Sequence, residues 1–221
     1  MNPKPTRTSY SALTSFESCP LSYKLYYLDG HKETGPKPAA ERGTRLHTAC
    51  ERFLKNEIPI TALSIDFRKI KDVLHDLKLK NAQAEAVWLC DDHGNPQEVE
   101  DEHTRFKAIV DIHHVEHSVL YIYDLKSGRR YPEHDDQLQA YATLGFGKYP
   151  DVESVVVAAL YLEGMGPLTM YDRPIASHLS KFWKARWDKL FAAEEYPATP
   201  SVDACQWCPY RASKMGLCVY G

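Results

Sequence analysis

The tripeptide Asp124-Leu125-Lys126 carries the most chemical information in this chain. It closes an apolar run, Val119-Leu120-Tyr121-Ile122-Tyr123, whose composition predicts a buried β-strand. Residues two apart on a strand point to one face. Asp124 and Lys126 are therefore expected side by side at the strand end, with Leu125 turned into the core. A carboxylate able to hold a divalent cation, next to an ammonium able to hold a water or a phosphate oxygen, is half of a site for hydrolysing phosphodiesters. An upstream strand, Phe106-Lys107-Ala108-Ile109-Val110-Asp111, ends in another acid. Cross-strand neighbours lie roughly 5 Å apart, and two carboxylates that close repel unless a cation lies between them. Magnesium prefers hard oxygen ligands and keeps several waters, and a water hydrogen-bonded to Lys126 would be the nucleophile.

Three further features could complete such a site. In Gly43-Thr44-Arg45-Leu46-His47, Gly43 permits a close approach or a tight helix entry, and His47 can offer a neutral imidazole nitrogen to a metal. Glu51 shares its helix face. A structural histidine is the plainer alternative. Glu85 interrupts an apolar stretch, Ala84 to Trp88, either for a purpose or as an edge-strand surface charge. Gln137 and Tyr141 lie four apart on one helix face and can hydrogen-bond to phosphate or orient Lys126, unless they are simply its polar face. After Lys126 comes a basic loop, Ser127-Gly128-Arg129-Arg130, read as a solvated turn or as a phosphate clamp of Arg129 and Arg130.

Six cysteines are present. Cys205, Cys208 and Cys218 can converge on one metal or cluster, with Cys19 as the best distant fourth ligand. Four thiolates hold either zinc or an iron–sulfur cluster. Cys50 and Cys90 sit in apolar patterns and are expected to be buried free thiols. Trp183 and Trp187 are expected in the core, and His113, on the strand face of Asp111, is a candidate site lining. His114 and His117 are expected to be solvated hairpin residues, and Tyr23, Tyr26 and Tyr27 to pack a helix or wall a cluster.

These residues need a frame. Apolar spacing predicts helices over 10–28, 40–56 and 65–79, then strands over 83–90, 105–115 and 119–126. The last two strands form an antiparallel hairpin through Glu116-His117-Ser118. A helix over 135–147, strands over 152–162 and 168–173, and a helix over 176–195 follow. The order predicts a mixed α/β (α+β) fold, with a central sheet flanked by helices. The 196–221 segment reads as a Cys-rich appendage of one domain, packed near Cys19.

With 221 residues, 43% hydrophobic and 26% charged, the chain is composed as a soluble globular protein. No apolar run approaches the ~20 residues of a membrane span, and the N-terminus lacks a signal-peptide core. An intracellular, cytoplasmic protein is expected (host cytoplasm if viral). The net charge of −3 argues mildly against a dedicated nucleic-acid binder, although metal-binding acids lower that sum.

The ordered set Gly43-Thr44-x-x-His47, Glu85, Ile109-Val110-Asp111, Asp124-Leu125-Lys126 and Gln137-x-x-x-Tyr141 resembles the PD-(D/E)XK nuclease superfamily, in its RecB-like exonuclease branch. The resemblance implies a restriction-endonuclease-like sheet and cleavage of DNA with magnesium or manganese. His47, Asp111, Asp124 and the Leu125 carbonyl would hold the metal, Glu85 would assist, Lys126 would position the attacking water, and Gln137 and Tyr141 would support it. One departure is that Lys107, Ala108 and Ile109 stand where the family often has glycine. Cys19 with Cys205, Cys208 and Cys218 resembles the iron–sulfur members, AddB-type and CRISPR-associated exonucleases. There a [4Fe–4S] cluster pins the chain ends together. The longer gap before Cys218 leaves zinc as the lesser alternative. The expected activity is a metal-dependent DNA exonuclease acting from a free end. Rivals are a structure-specific endonuclease on the same core, or a DNA-binding subunit with a helicase, recombination or CRISPR adaptation partner.

Overall fold

The computed structural model describes residues 4–220. The chain opens with α1 (Tyr10–Ser18), α2 (Pro20–Tyr23) and a π-helical turn over Lys24–Leu28. The sequence predicts one helix here, but the residue before a proline is excluded from helical dihedrals. Cys19 accordingly takes an extended conformation (φ −158°) and Pro20 starts the next turn. The break puts Cys19 in a corner. Helix α3 (Pro38–Leu54) follows, then α4 (Lys71–Leu79), shorter than predicted because Ile70 leaves helical dihedrals at φ −123°.

The strands are β1 (Gln83–Cys90), β2 (Pro96–Gln97), β3 (Phe106–Glu116) and β4 (Val119–Lys126). After α5 (Glu133–Lys148) come β5 (Ser154–Tyr161), β6 (Gly164–Met165), β7 (Thr169–Asp172), α6 (Ala176–Phe191) and α7 (Val202–Gln206). They form one mixed sheet in the order β2-β1-β3-β4-β5-β6, with β7 also on β5. Two-residue strands such as β2 and β6 have no periodicity to read in sequence. The β3–β4 turn is two residues rather than three, since Glu116 pairs with Val119. His117 and Ser118 both take left-handed dihedrals, as a type I′ turn requires. Among the described strands, the parallel pair is β4 with β5, bridged by α5 in the crossover that parallel strands need.

The sheet separates two cores. Helices α1, α5 and α6 cover one face, burying Leu13, Trp88, Val110, Ile122, Leu138 and Trp183. Helices α3 and α4 cover the other, burying Phe53, Leu74, Ile112, Leu125 and Leu160. Trp183 and Trp187 are core residues, and Cys50 and Cys90 are buried free thiols, as expected. Gly145 lets α5 lie on β4, because a Cβ there would come within 2.6 Å of Leu120.

Two histidine expectations are corrected. His113 is 1% exposed and bonds the Tyr149 hydroxyl at 2.7 Å beneath Trp88, so it belongs to the core and not to the site. His114 is 4% exposed and stacks on Tyr121, its cross-strand partner, because it lies inside the paired β3–β4 ladder and not in the turn.

Candidate active site

The β3–β4 ladder starts at the turn and ends at the pair Ile112–Tyr123. Beyond it the strands part. β3 continues beside β1, and β4 continues beside β5. The fork leaves the Leu125 N–H without a ladder partner, and that N–H donates to Asp111 Oδ2 at 2.7 Å. Asp111 and Asp124 thus meet where strands diverge, not across a regular ladder as the sequence reading assumed.

The opposite strand is distorted at the same level. Glu85 has φ +53°, the left-handed region that costs a residue with a Cβ about 1–2 kcal/mol. Strict alternation would put Ala84, Ala86, Trp88 and Cys90 on one face. Instead Ala84 packs with the α3–α4 core and the other three with the α1–α5–α6 core. β3 switches faces in register with it, between Val110 and Ile112. Glu85 and Asp111 occupy the two switch positions. Backbone strain of this kind collects at functional sites.

From α3, His47 reaches the fork. Its Nδ1 lies 3.3 Å from Asp111 Oδ1 and 3.5 Å from Glu85 Oε1. Among the described residues, His47, Glu85 and Asp111 form the one group of three His, Cys, Asp or Glu side chains with ligand atoms within 4.8 Å of one another. From the other side, Asp124 is 2% exposed and its Oδ2 forms an ion pair with Lys126 Nζ at 2.5 Å. Lys126 Nζ donates to Gln137 Oε1 at 2.8 Å, and Gln137 Nε2 donates to the Tyr141 hydroxyl at 2.7 Å. A cavity of about 280 Å³ opens among His47, Asp111, Asp124, Lys126, Gln137 and Tyr141. A second hollow of about 440 Å³, which Glu85, Thr44 and Glu51 line, opens on the α3 side of His47.

The electrostatics are those of a cation site. Burial works to lower the His47 imidazole, but the hydrogen bond and charge of Asp111, with Glu85 and Asp124, outweigh it and raise it to about 9. Burial, then the Asp111 charge, raises both Asp124 and Glu85. Three carboxylates converge with more negative charge than burial favours, and a proton on His47 now supplies part of the balance. Burial also keeps Tyr141 a neutral hydroxyl and pushes Cys50, beneath the site, up to about 12, so that it remains a thiol. The hard carboxylate oxygens and one imidazole nitrogen gathered here fit a divalent cation.

Arg129 lines the cavity, while Arg130 pairs with Asp135 at 3.2 Å. Gly43 lies inside α3, not at its entry, and faces Ser127. The sequence reading missed Tyr131 and His134, which also line the cavity. His134 precedes Gln137 by one helical turn, a signal that was available. His134 Nδ1 meets the Tyr161 hydroxyl at 2.9 Å.

The cysteines differ. Cys19 sits at the α1–α2 corner, where Thr199 Oγ1 donates to the Ser18 carbonyl and Leu21 N–H to the Pro197 carbonyl. Cys218 N–H donates to the Tyr210 carbonyl, and the Tyr210 hydroxyl donates to the His31 carbonyl. All four thiols are partly exposed, and no three of them come within 4.8 Å among the described residues. Sulfur ligands and partial exposure suit a soft metal group, but the cysteines are less closely gathered than the acids.

Residues 7–213 match the model of the PD-(D/E)XK nuclease superfamily. A crystal structure from Eubacterium rectale, of a protein named as a candidate exonuclease, aligns with a TM-score of 0.51 at 15% identity. The match covers 91% of this chain and 85% of that one, a likeness of fold. The structure of SSO0001 aligns with a TM-score of 0.49 at 13% identity, covering 94% and 85%. No curated protein matches the sequence. Among the described residues, no helix is long and apolar enough to cross a membrane.

Proposed function

The chain belongs to the PD-(D/E)XK nuclease superfamily, and from that premise we propose that it is a divalent-metal-dependent DNA exonuclease of the RecB-like type. The observation that carries the reading is the meeting of the His47–Glu85–Asp111 group with Lys126, whose ammonium lies between Asp124 and Gln137. His47, Asp111, Asp124 and the Leu125 carbonyl are the proposed ligands of magnesium or manganese, with Glu85 assisting. A cation held by these residues would supply Lewis-acid polarisation of the phosphate and a lowered pKa for water. Lys126 holds the attacking water by hydrogen bond, and Gln137 holds Lys126 in place. Tyr141, kept neutral, fixes Gln137. Arg129 meets a phosphate at the cavity rim, and Arg130 does so by leaving Asp135.

The proposal extends to one nuclease domain over 1–221, with the 196–221 segment tied beside Cys19 by a structural [4Fe–4S] cluster on Cys19, Cys205, Cys208 and Cys218. A single zinc ion on the same four thiols is the lesser alternative. Exonuclease action gains support from the name of the E. rectale protein, on likeness of fold.

End-labelled linear and circular single-stranded DNA, incubated with magnesium or manganese, provide the test. Loss of the linear substrate alone is expected. Cutting of the circle would establish an endonuclease, and tight binding without hydrolysis a DNA-binding subunit.

A further inference from the structure

A second groove, of about 400 Å³, opens beyond the catalytic cavity and shares its Gln137 and Tyr141 wall. The N-terminal segment builds it. Thr8 N–H donates to the Arg105 carbonyl and Lys107 N–H to the Thr8 carbonyl, laying residues 7–9 beside the start of β3. The Tyr10 hydroxyl donates to the Glu133 carbonyl and pins α1 to α5. The groove therefore runs between elements that are tied on both sides.

Its lining divides by chemistry. Tyr27 and Ile109 supply apolar surface, 41% and 48% exposed. The Tyr27 ring stacks at 5.2 Å on Tyr23, which is 1% exposed and stacks in turn on Tyr196. Tyr26 meets the same ring edge-on at 4.7 Å, and the part of Tyr27 that stays exposed lines the groove. Arg7, Lys107, Ser9 and Ser11 supply the polar lining. Arg7 and Lys107 share one acid, Glu100, which leaves one positive charge over. Ser9 Oγ accepts the Ala12 N–H, so its own hydroxyl proton is free to donate.

We infer that this groove is a single-stranded nucleotide subsite next to the scissile phosphate, with the base on Tyr27 and Ile109 and its phosphate on Arg7, Ser9 and Ser11. The inference rests on the nuclease reading of the adjoining cavity. A base offers its face to an aromatic ring only when unstacked from its neighbours, which selects a single strand over a duplex.

Binding of a fluorescein-labelled thymidine tetranucleotide, by anisotropy in EDTA, tests this without catalysis. Arg7→Gln and Tyr27→Ala are each expected to weaken binding about tenfold, while Tyr27→Phe, which keeps the ring, stays within about twofold of the parent. Circular dichroism checks that the variants are folded. Parent-like affinity in both Arg7→Gln and Tyr27→Ala overturns the subsite, and so does an equal loss in Tyr27→Phe. Metal-stimulated hydrolysis of bis(p-nitrophenyl) phosphate, too small to reach Tyr27, is read separately. Its absence from the parent protein strikes the nuclease reading, while the binding result still decides the groove.

Discussion

The strand fork and the cysteine segment both bring together residues far apart in sequence, yet they are held in different ways. At the fork, each chemical group projects from an element with a buried face: α3 through Leu46 and Phe53, β3 through Val110 and Ile112, β4 through Ile122 and Leu125, α5 through Leu138. Packing fixes those groups before any ligand arrives, even at the cost of crowding three carboxylates. Among the described residues, the segment after α6 holds one five-residue helix and meets α1 and α2 through one backbone hydrogen bond, Leu21 N–H to the Pro197 carbonyl, and one from Thr199 Oγ1 to the Ser18 carbonyl. Its Trp207 is 77% exposed. Packing holds the fork; under the proposed cluster, the cysteine segment would gain further order from the group it binds.

The sharpest break in this contrast is at the fork. Asp111→Asn or Lys126→Ala is expected to lower metal-dependent DNA cleavage by about 10²-fold or more, with the melting temperature nearly unchanged. A variant that cleaves at the parent rate would remove that residue from the mechanism. The cysteines should behave in the opposite sense. Cys19→Ala is expected to remove iron and acid-labile sulfide, measured chemically, and to cost stability of about 2–5 kcal/mol, the scale of losing a structural cross-link or metal. Full iron content in that variant would move the fourth ligand elsewhere.

A smaller effect is expected at Gly145. Alanine there meets Leu120 and should destabilise by about 1–3 kcal/mol in urea unfolding, with no change in the metal requirement. Smallest, and opposite in sign, is Glu85→Gly. It removes left-handed strain and one crowded carboxylate, so a gain of about 0.5–1 kcal/mol is expected together with weaker cleavage. A loss of stability would mean that Glu85 is not strained in the resting protein.

Much of the frame was legible from residue pattern. The strand over 83–90 lies where the sequence puts it, ahead of a turn, and 119–126 was readable from its apolar run. Boundaries failed where one local rule overrode periodicity, as at Cys19-Pro20, where proline splits a helix that the spacing of Leu13, Phe16, Leu21 and Leu25 would continue. The candidate site was legible as a set of residue types, since Asp124-x-Lys126 already shares a face. Its assembly was not. The His47 contact depends on how α3 crosses the sheet, and the Asp111 hydrogen bond to Leu125 depends on where two strands part.

By itself the sequence determined which groups carry the chemistry and which short stretches are strand or helix, because those follow from residue type and spacing along a few neighbours. Only the tertiary structure decided that β1 and β3 swap faces at Glu85 and Asp111, that His113 turns into the core, and that a groove with Tyr27 adjoins the cavity. Each of these depends on packing between segments tens of residues apart, where backbone strain and burial compete, and no local pattern records the result.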